Sequence, residues 1–168
     1  MLIEKIKIKM MSAFETTIPS EIDHALNVLD NAELIMAGEK ISGRTRELIS
    51  VTALLHDIGM INAKLKYGST SGPYQEKEGP SSAKILLEDE NLDETEIERI
   101  CYIIGHHHTF SKVHGTDFII LWEADMLEAL KKMIGKNNKD NMKAAIQKNF
   151  QTKSGIRLAE KILLDRMF

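Results

Sequence analysis

His56 and Asp57 stand side by side at the end of an apolar run, Val51-Thr52-Ala53-Leu54-Leu55, and are followed by Ile58 and Gly59. On a helix, Ala53, Leu54 and Leu55 commit the run to a core, so the imidazole and carboxylate that end it must lie near that core. Polar groups there cost desolvation energy unless something pairs with them. A divalent metal ion would satisfy both, since the pair offers one nitrogen and two oxygens. A helix-terminal His-Asp pair can also be plain structure, so the metal reading needs partners elsewhere. Asp125 is the most informative of these. Its segment, DFIILWEADMLEALKKMI at 117–134, is apolar around nearly its whole circumference and predicts a largely buried helix. An ionised carboxylate in that setting needs compensation worth several kcal/mol. The basic residues fall mostly in polar stretches, which leaves metal coordination as the better account of Asp125; Glu123 and Glu128, on either side, are expected to face outward. His24 and the triplet His106-His107-His108 complete the candidates. The resulting histidine–carboxylate set suits Mn²⁺, Fe²⁺, Co²⁺, Ni²⁺ or Zn²⁺, with Mg²⁺ as a further candidate, rather than Ca²⁺.

The elements that must position these groups are helical. Only three prolines (Pro19, Pro73, Pro80) and no long β-branched alternation interrupt the chain. Thr17-Ile18-Pro19-Ser20 reads as a helix start, with Ser20 and Asp23 in a capping arrangement. From there to about Ala37, Ile22, Ala25, Leu26, Leu29, Ala32 and Ile35 follow a helical stripe with His24 beside it. A second helix runs from about Gly43 to Asp57. Gly59–Gly79, rich in Gly, Ser, Thr and Pro, reads as a long loop, of the kind that serves as lid or binding segment. It carries Lys64, Lys66 and Tyr67, able to meet a phosphate or a base, though a solvated surface loop accounts for it equally well. A short helix is expected from Ser81 or Ser82 to Glu88. Asp93 and Glu96 cap the next, which presents Ile97, Ile100, Cys101 and Ile104 and ends in the three histidines. Gly115-Thr116-Asp117 opens the helix of Asp125, which reaches about Ile134. After a polar turn, Lys136–Asp140, two amphipathic segments, Ala144–Phe150 and Gly155–Phe168, close the chain.

The 168 residues fit one domain with a real core, 1–168, with the motif core at about 22–130 and the closing helices at 140–168. Apolar content of 43%, charged content of 28% and a net charge of −3 are ordinary for a soluble protein and give no electrostatic case for a nucleic-acid duplex. The single cysteine, Cys101, excludes an internal disulfide and fits a reducing compartment. No apolar run reaches the roughly 20 residues of a membrane span, and the lysine–isoleucine alternation at 3–9 lacks a secretory h-region, so a solvated face is expected there and a cytoplasmic location by default.

His24, the adjacent His56-Asp57, and Asp125 within EADMLE resemble the H…HD…D signature of the HD-domain metal-dependent phosphohydrolases. HDIG at 56–59 and IIGHHHTF at 103–110 strengthen the likeness, whose order and spacing hold from roughly Ile22 to Leu130. The resemblance implies an all-α, single-domain helical bundle. It also implies that His24, His56, Asp57 and Asp125 bind one metal ion, which activates water for attack on phosphorus. Some members hold a second ion through extra histidines and the bridging aspartate. The His-x-x-x-Gly-Ala element that contributes to it falls at Gln75–Pro80, with Gln75 in the histidine's place, which speaks against a tight dinuclear site. The later His-His element falls on His106-His107-His108, candidates for a second ion or for phosphate. His107 is included under either alignment, while at least one of the three is expected only to cap carbonyls. The frequent lysine after HDIG is Met60 here, so any phosphate-binding cation must come from elsewhere. No GYP follows the histidines, against cyclic-di-GMP cleavage of that subfamily's type.

The expected reaction is hydrolysis of a phosphate ester or anhydride in a nucleotide or related small metabolite. Asp57 would ligate the ion and orient or deprotonate water, with His107, Lys64, Lys66 and Gln75 toward the substrate and Glu76 and Glu78 as weaker acid–base candidates. Gln75 and Met60 motivate a different class, a metal-retaining nucleotide-binding or sensor domain without turnover. A di-iron oxygenase, as in the HD relative myo-inositol oxygenase, stands third, and a helical scaffold with structural histidines is the bland alternative. A homodimer through the closing helices is the only macromolecular partnership expected.

Overall fold

A computed structural model of the chain describes residues 1–167. It is all-α, with no strand among the described residues. In chain order the helices are α1 (Leu2–Glu15), α2 (Ser20–Gly38), α3 (Gly43–Leu55), α4 (Gly59–Tyr67), α5 (Gly72–Leu87) and α6 (Glu94–Ile104). A 3₁₀ turn at Phe110–Lys112 leads to α7 (Thr116–Lys131), α8 (Lys139–Asn149) and α9 (Lys153–Ala159), the last running on into a π-helical turn, Glu160–Leu164. Phe168, the last residue of the expected closing helix, lies outside the described residues.

Two apolar clusters organise these helices, and α7 lies between them. The larger gathers Phe14 of α1, Val28 and Ile35 of α2, Leu54 of α3, Ile104 of α6 and Phe118 of α7. The smaller packs Leu127 and Leu130 of α7 against Met142, Ile146, Phe150 and Leu163 of the closing segments. The apolar circumference of α7 is thus used on both sides. That arrangement corrects the outward orientation expected for its acids. Glu123 is fully buried and accepts hydrogen bonds from Gln151 N (2.6 Å), Thr152 N (2.8 Å) and Thr152 Oγ1 (2.5 Å), which ties α7 to the start of α9. Burial pushes its carboxyl above the usual range. Glu128, also buried, accepts from Asn31 Nδ2 at 2.9 Å and pairs with Lys131.

The Gly59–Gly79 stretch is not a long loop but two helices joined by a turn. Gly68 takes the left-handed conformation (φ 65°) after α4, and its N–H bonds back to Lys64 O, a glycine helix stop. α5 then runs straight through Gly79 and Pro80. Glycine and proline are poor interior helix residues, but here packing decides. α4 and α5 approach so closely that a Cβ on Gly59 would lie 2.3 Å from Gln75 O and 2.7 Å from Gly79 N, while one on Gly79 would lie 2.6 Å from the Ile104 side chain. Tertiary contact of that density outweighs local propensity.

Other boundaries shift for local reasons. α2 begins at Ser20 behind Pro19 with no side-chain cap, so the Ser20–Asp23 arrangement does not form. The Asp93–Glu96 capping box does form, with Glu96 N donating to Asp93 Oδ1 (2.9 Å) and Asp93 N to Glu96 Oε2 (3.0 Å). α8 starts at Lys139, within the expected polar turn, because the Asn138 side chain accepts from Asn141 N at 2.8 Å. At the N-terminus, Ile6, Met10 and Phe14 give α1 a buried stripe, while Lys5 and Lys9 pair with Glu90. Gly43–Tyr67, which is α3 and α4 with only a short turn between them, is long and apolar enough by composition to cross a bilayer, with mean hydropathy 1.2. Yet 67% of that window is buried inside the bundle, as befits a core helix.

The α4–α5 approach makes a direct prediction. Gly59→Ala forces backbone against backbone and is expected to cost on the order of 1–3 kcal/mol, despite alanine's better helix propensity. Thermal melting checks it, since at this chain length each kcal/mol lowers Tm by roughly 2–4 °C. An unchanged Tm would contradict the close packing.

Candidate metal centre

His24 comes from α2, His56 and Asp57 from the turn that ends α3, His107 from the turn after α6, and Asp125 from α7. Their polar atoms meet at one point. His24 Nε2 lies 3.2 Å from each of Asp57 Oδ2, Asp125 Oδ1 and His56 Nε2. His56 Nε2 lies 3.2 Å from Asp57 Oδ2 and 3.6 Å from Asp125 Oδ1. The other oxygen of Asp57, Oδ1, faces His107 Nε2 at 3.1 Å. His56, Asp57 and His107 are buried. The Asp125 side chain keeps 25% of its surface exposed, more than the helix pattern predicted, because the face of α7 that carries it opens on a cavity.

Main-chain carbonyls set the imidazoles. His56 Nδ1 lies 2.8 Å from Ala53 O, and His107 Nδ1 lies 2.7 Å from Ile104 O. A carbonyl only accepts, so each Nδ1 carries the ring proton and each Nε2 turns its lone pair inward. His24 Nδ1 is buried and has no protein partner, which leaves Nε2 as that ring's engaged nitrogen. Nitrogen lone pairs facing carboxylate oxygens at 3.1–3.6 Å attract only with a cation between them, either a proton or a metal ion. Donors about 3 Å apart are also spaced as neighbouring ligands of one ion whose bonds are about 2.0–2.2 Å. The donor set therefore fits a divalent metal: donor atoms of His24, His56 and Asp125 lie within 4.8 Å of one another, and Asp57 Oδ2, 3.2 Å from both imidazole nitrogens, could complete the set.

Protons fill that role otherwise. Burial opposes a charge on His24, but hydrogen bonds to Asp125 and Asp57 prevail and push its pKa up to about 9. For His56 burial again opposes the charge, and the Asp57 and Asp125 carboxylates outweigh it to raise the pKa well above the usual value. Burial alone would raise Asp57 and Asp125. The His56 charge and the imidazole hydrogen bonds instead hold both far below the carboxylate range.

A cavity of about 480 Å³ opens above these groups. Besides the donors it is bounded by Glu21, Met60, Gln75, Trp122, Met126 and Lys132. Of the three consecutive histidines, His107 and His108 face it. His106 is turned away, bonded through Nδ1 to Tyr102 O (2.7 Å) and lying against the Tyr102 ring. Donor atoms of Asp57, His107 and His108 also lie within 4.8 Å of one another, a second grouping that could hold an ion. Gln75 Nε2 donates to Thr70 O (2.7 Å), which turns Oε1 toward His108 Nε2 at 3.0 Å. Burial, then the neighbouring His107, push the His108 pKa down.

Several expected contributors lie elsewhere. Lys64 reaches Thr17 O, and Lys66 pairs with Glu78, which also accepts from Tyr67. Glu76 accepts from His108 N and Thr109 Oγ1 and so braces the histidine turn. None of these five side chains bounds the cavity. Glu21, Trp122 and Lys132 do bound it and were missed. The signal was helical spacing: Glu21 stands one turn before His24, Trp122 one turn before Asp125, and Lys132 two turns after it.

The metal-free centre predicts its own pH dependence. Since His24 keeps its proton up to about 9, an incoming ion must displace it, and metal affinity rises with pH toward that value. The expected slope is up to about tenfold per pH unit for each proton displaced. Calorimetric titration with Mn²⁺ in two buffers of different ionisation enthalpy should show net proton release at neutral pH. Uptake without proton release would contradict this assignment.

The family model described as HD domain matches residues 22–140, well over half of the chain. No curated protein and no solved structure matches the chain. The matched span begins two residues before His24 and ends beyond Asp125, so it takes in every donor at the centre, and the chain belongs to the HD domain family of metal-dependent hydrolases.

Proposed function

We propose that this protein hydrolyses a phosphate ester or anhydride in a nucleotide or related small phosphorylated metabolite, in the cytoplasm. His24, His56, Asp57 and Asp125 would hold a divalent transition-metal ion. The observation that carries this reading is the convergence of four donors with contacts of 3.2–3.6 Å, three of them (His24, Asp57 and Asp125) lining one cavity and His56 buried directly behind them. An ion there supplies Lewis acidity toward water and toward the phosphoryl oxygens.

The side chains account for the rest. Asp57 points its two oxygens at different partners, Oδ2 at His24 and His56 and Oδ1 at His107, so one carboxylate links the donor cluster to a histidine on the cavity wall. In that place it can orient an attacking water and take its proton. His107, locked by Ile104 O, aims Nε2 at the same spot and can take that proton and, once protonated, donate to a phosphoryl oxygen. His108 and Gln75 would line the substrate's path, with Asp57, His107 and His108 able to take a second, more weakly held ion. The near-neutral chain charge supports a small-molecule substrate over a nucleic-acid duplex.

Metal content and phosphate release, measured on one preparation with added Mn²⁺, Co²⁺, Ni²⁺ or Mg²⁺, test the proposal. Asp57→Ala should lose bound metal and turnover together, by more than the ~10–100-fold that loss of an outer partner costs. His107→Gln should keep the metal and lower kcat by about 10²–10⁴-fold, the usual worth of a positioned acid–base group. Activity surviving in metal-free protein refutes the mechanism. A second reading, a metal-retaining nucleotide-binding domain without turnover, draws on Gln75, which is held by Thr70 and His108. Tight nucleotide binding with no product across the same screen would favour it.

A further inference from the structure

α7 works as a ruler along the cavity. Trp122, Asp125, Met126, Ala129 and Lys132 all bound it and recur at the i, i+3, i+4, i+7, i+10 spacing of one helical face. At 1.5 Å per residue, Lys132 stands roughly 10 Å along the axis from Asp125. Lys132 is the exposed C-cap of α7, and because side chains at this end lean back toward the N-terminus its ammonium can reach over the turn before it, toward Ala129. From ideal helix geometry it can come within about 5–10 Å of the donor cluster, beyond the oxygens of a phosphoryl group seated there.

Lys132 also has no structural occupation. The adjacent Lys131 pairs with Glu128 and reaches Asn31 Oδ1 at 3.4 Å. Lys132 enters no ion pair and no side-chain hydrogen bond among the described residues, and it is the one lysine that bounds the cavity. Away from the donors, the wall is acidic at Glu21, polar but uncharged at Gln75, imidazole at His107 and His108, and apolar at Met60, Met126 and Trp122. A lone uncommitted cation at one end of such a cavity marks where a second negative charge is received.

We infer that Lys132 binds a second anionic group, a phosphate or carboxylate, carried by the substrate some way from its reacting phosphoryl group. The inference deepens the phosphohydrolase reading and rests on it for the seat of the first anion. It makes the preferred substrate a phosphorylated compound with two separated anionic ends, and Lys132 a specificity-determining residue.

Equilibrium binding tests it without any need for turnover. Trp122 is the only tryptophan in the chain and bounds the cavity, so its fluorescence reports occupancy. The Mn²⁺-loaded protein is titrated with propane-1,3-diphosphonate and with propylphosphonate, whose carbon–phosphorus bonds resist hydrolysis. The diphosphonate is expected to bind about 10- to 100-fold more tightly, the worth of one charge-assisted hydrogen bond. Lys132→Gln should remove most of that preference and Lys132→Arg should keep it. Equal binding of the two ligands overturns the inference alone. So does a Lys132→Gln variant that keeps the preference, including one with a lowered Tm, which would make Lys132 a cap on the α7 dipole. Failure of both ligands to bind metal-loaded protein overturns the inference together with the reading beneath it.

Discussion

Two imidazole nitrogens and two carboxylate oxygens, held at 3.2–3.6 Å inside a helical bundle, impose one condition on the whole molecule: a positive charge must sit among them. Coulomb repulsion between lone pairs is strong where water is excluded, and the side chains have no freedom to separate. His56 is pinned by Ala53 O and His107 by Ile104 O, while α2 and α7 pack along much of their length. A proton or a metal ion meets the condition. The same atoms that raise His24 and lower Asp125 when protons fill the centre are those that would hold an ion in their place.

Rigidity of this kind needs the helices to be fixed on every side, and the role of α7 shows how that is done. Asp125 looks into the cavity. Glu123, two residues earlier and so on nearly the opposite face of the helix, anchors the start of α9. The closing helices thereby cover the side of α7 away from the centre and complete the smaller apolar cluster. Their contribution is to hold the Asp125 side chain in place rather than to touch the cavity. The α4–α5 pair does the same for the opposite wall. Gly59 stands two residues after Asp57, and because it lacks a side chain α5 can press against it, which brings Gln75 to the cavity rim beside His108.

The cavity is uneven in charge. Its floor gathers acids and imidazoles, its flank is sulfur and indole, and its far end holds one ammonium. On the proposed reading, that polarity would rank ligands by the placement of their charges as well as by size, separately from the chemistry at the floor.

The order and type of most helices were legible in the sequence, because apolar periodicity and caps are local signals. The Asp93–Glu96 box and the stripe of α2 are examples. So was the donor set, since a His-Asp pair beside an apolar run and a carboxylate within an apolar helix are costly unless compensated, wherever the chain folds. Three things were settled only by tertiary structure. Whether Gly59–Gly79 is loop or helix depended on Gly59 and Gly79 meeting across α4 and α5, a contact that local propensity does not contain. Whether Glu123 faced water depended on residues 151 and 152 arriving over it, and which histidines of the triplet faced inward depended on the turn braced by Glu76. A helical period tells which residues share a face. What covers that face is decided by segments distant in the chain, and that is why Lys132 could be placed on the face of Asp125 from spacing, but at the mouth of a cavity only once the other walls were built.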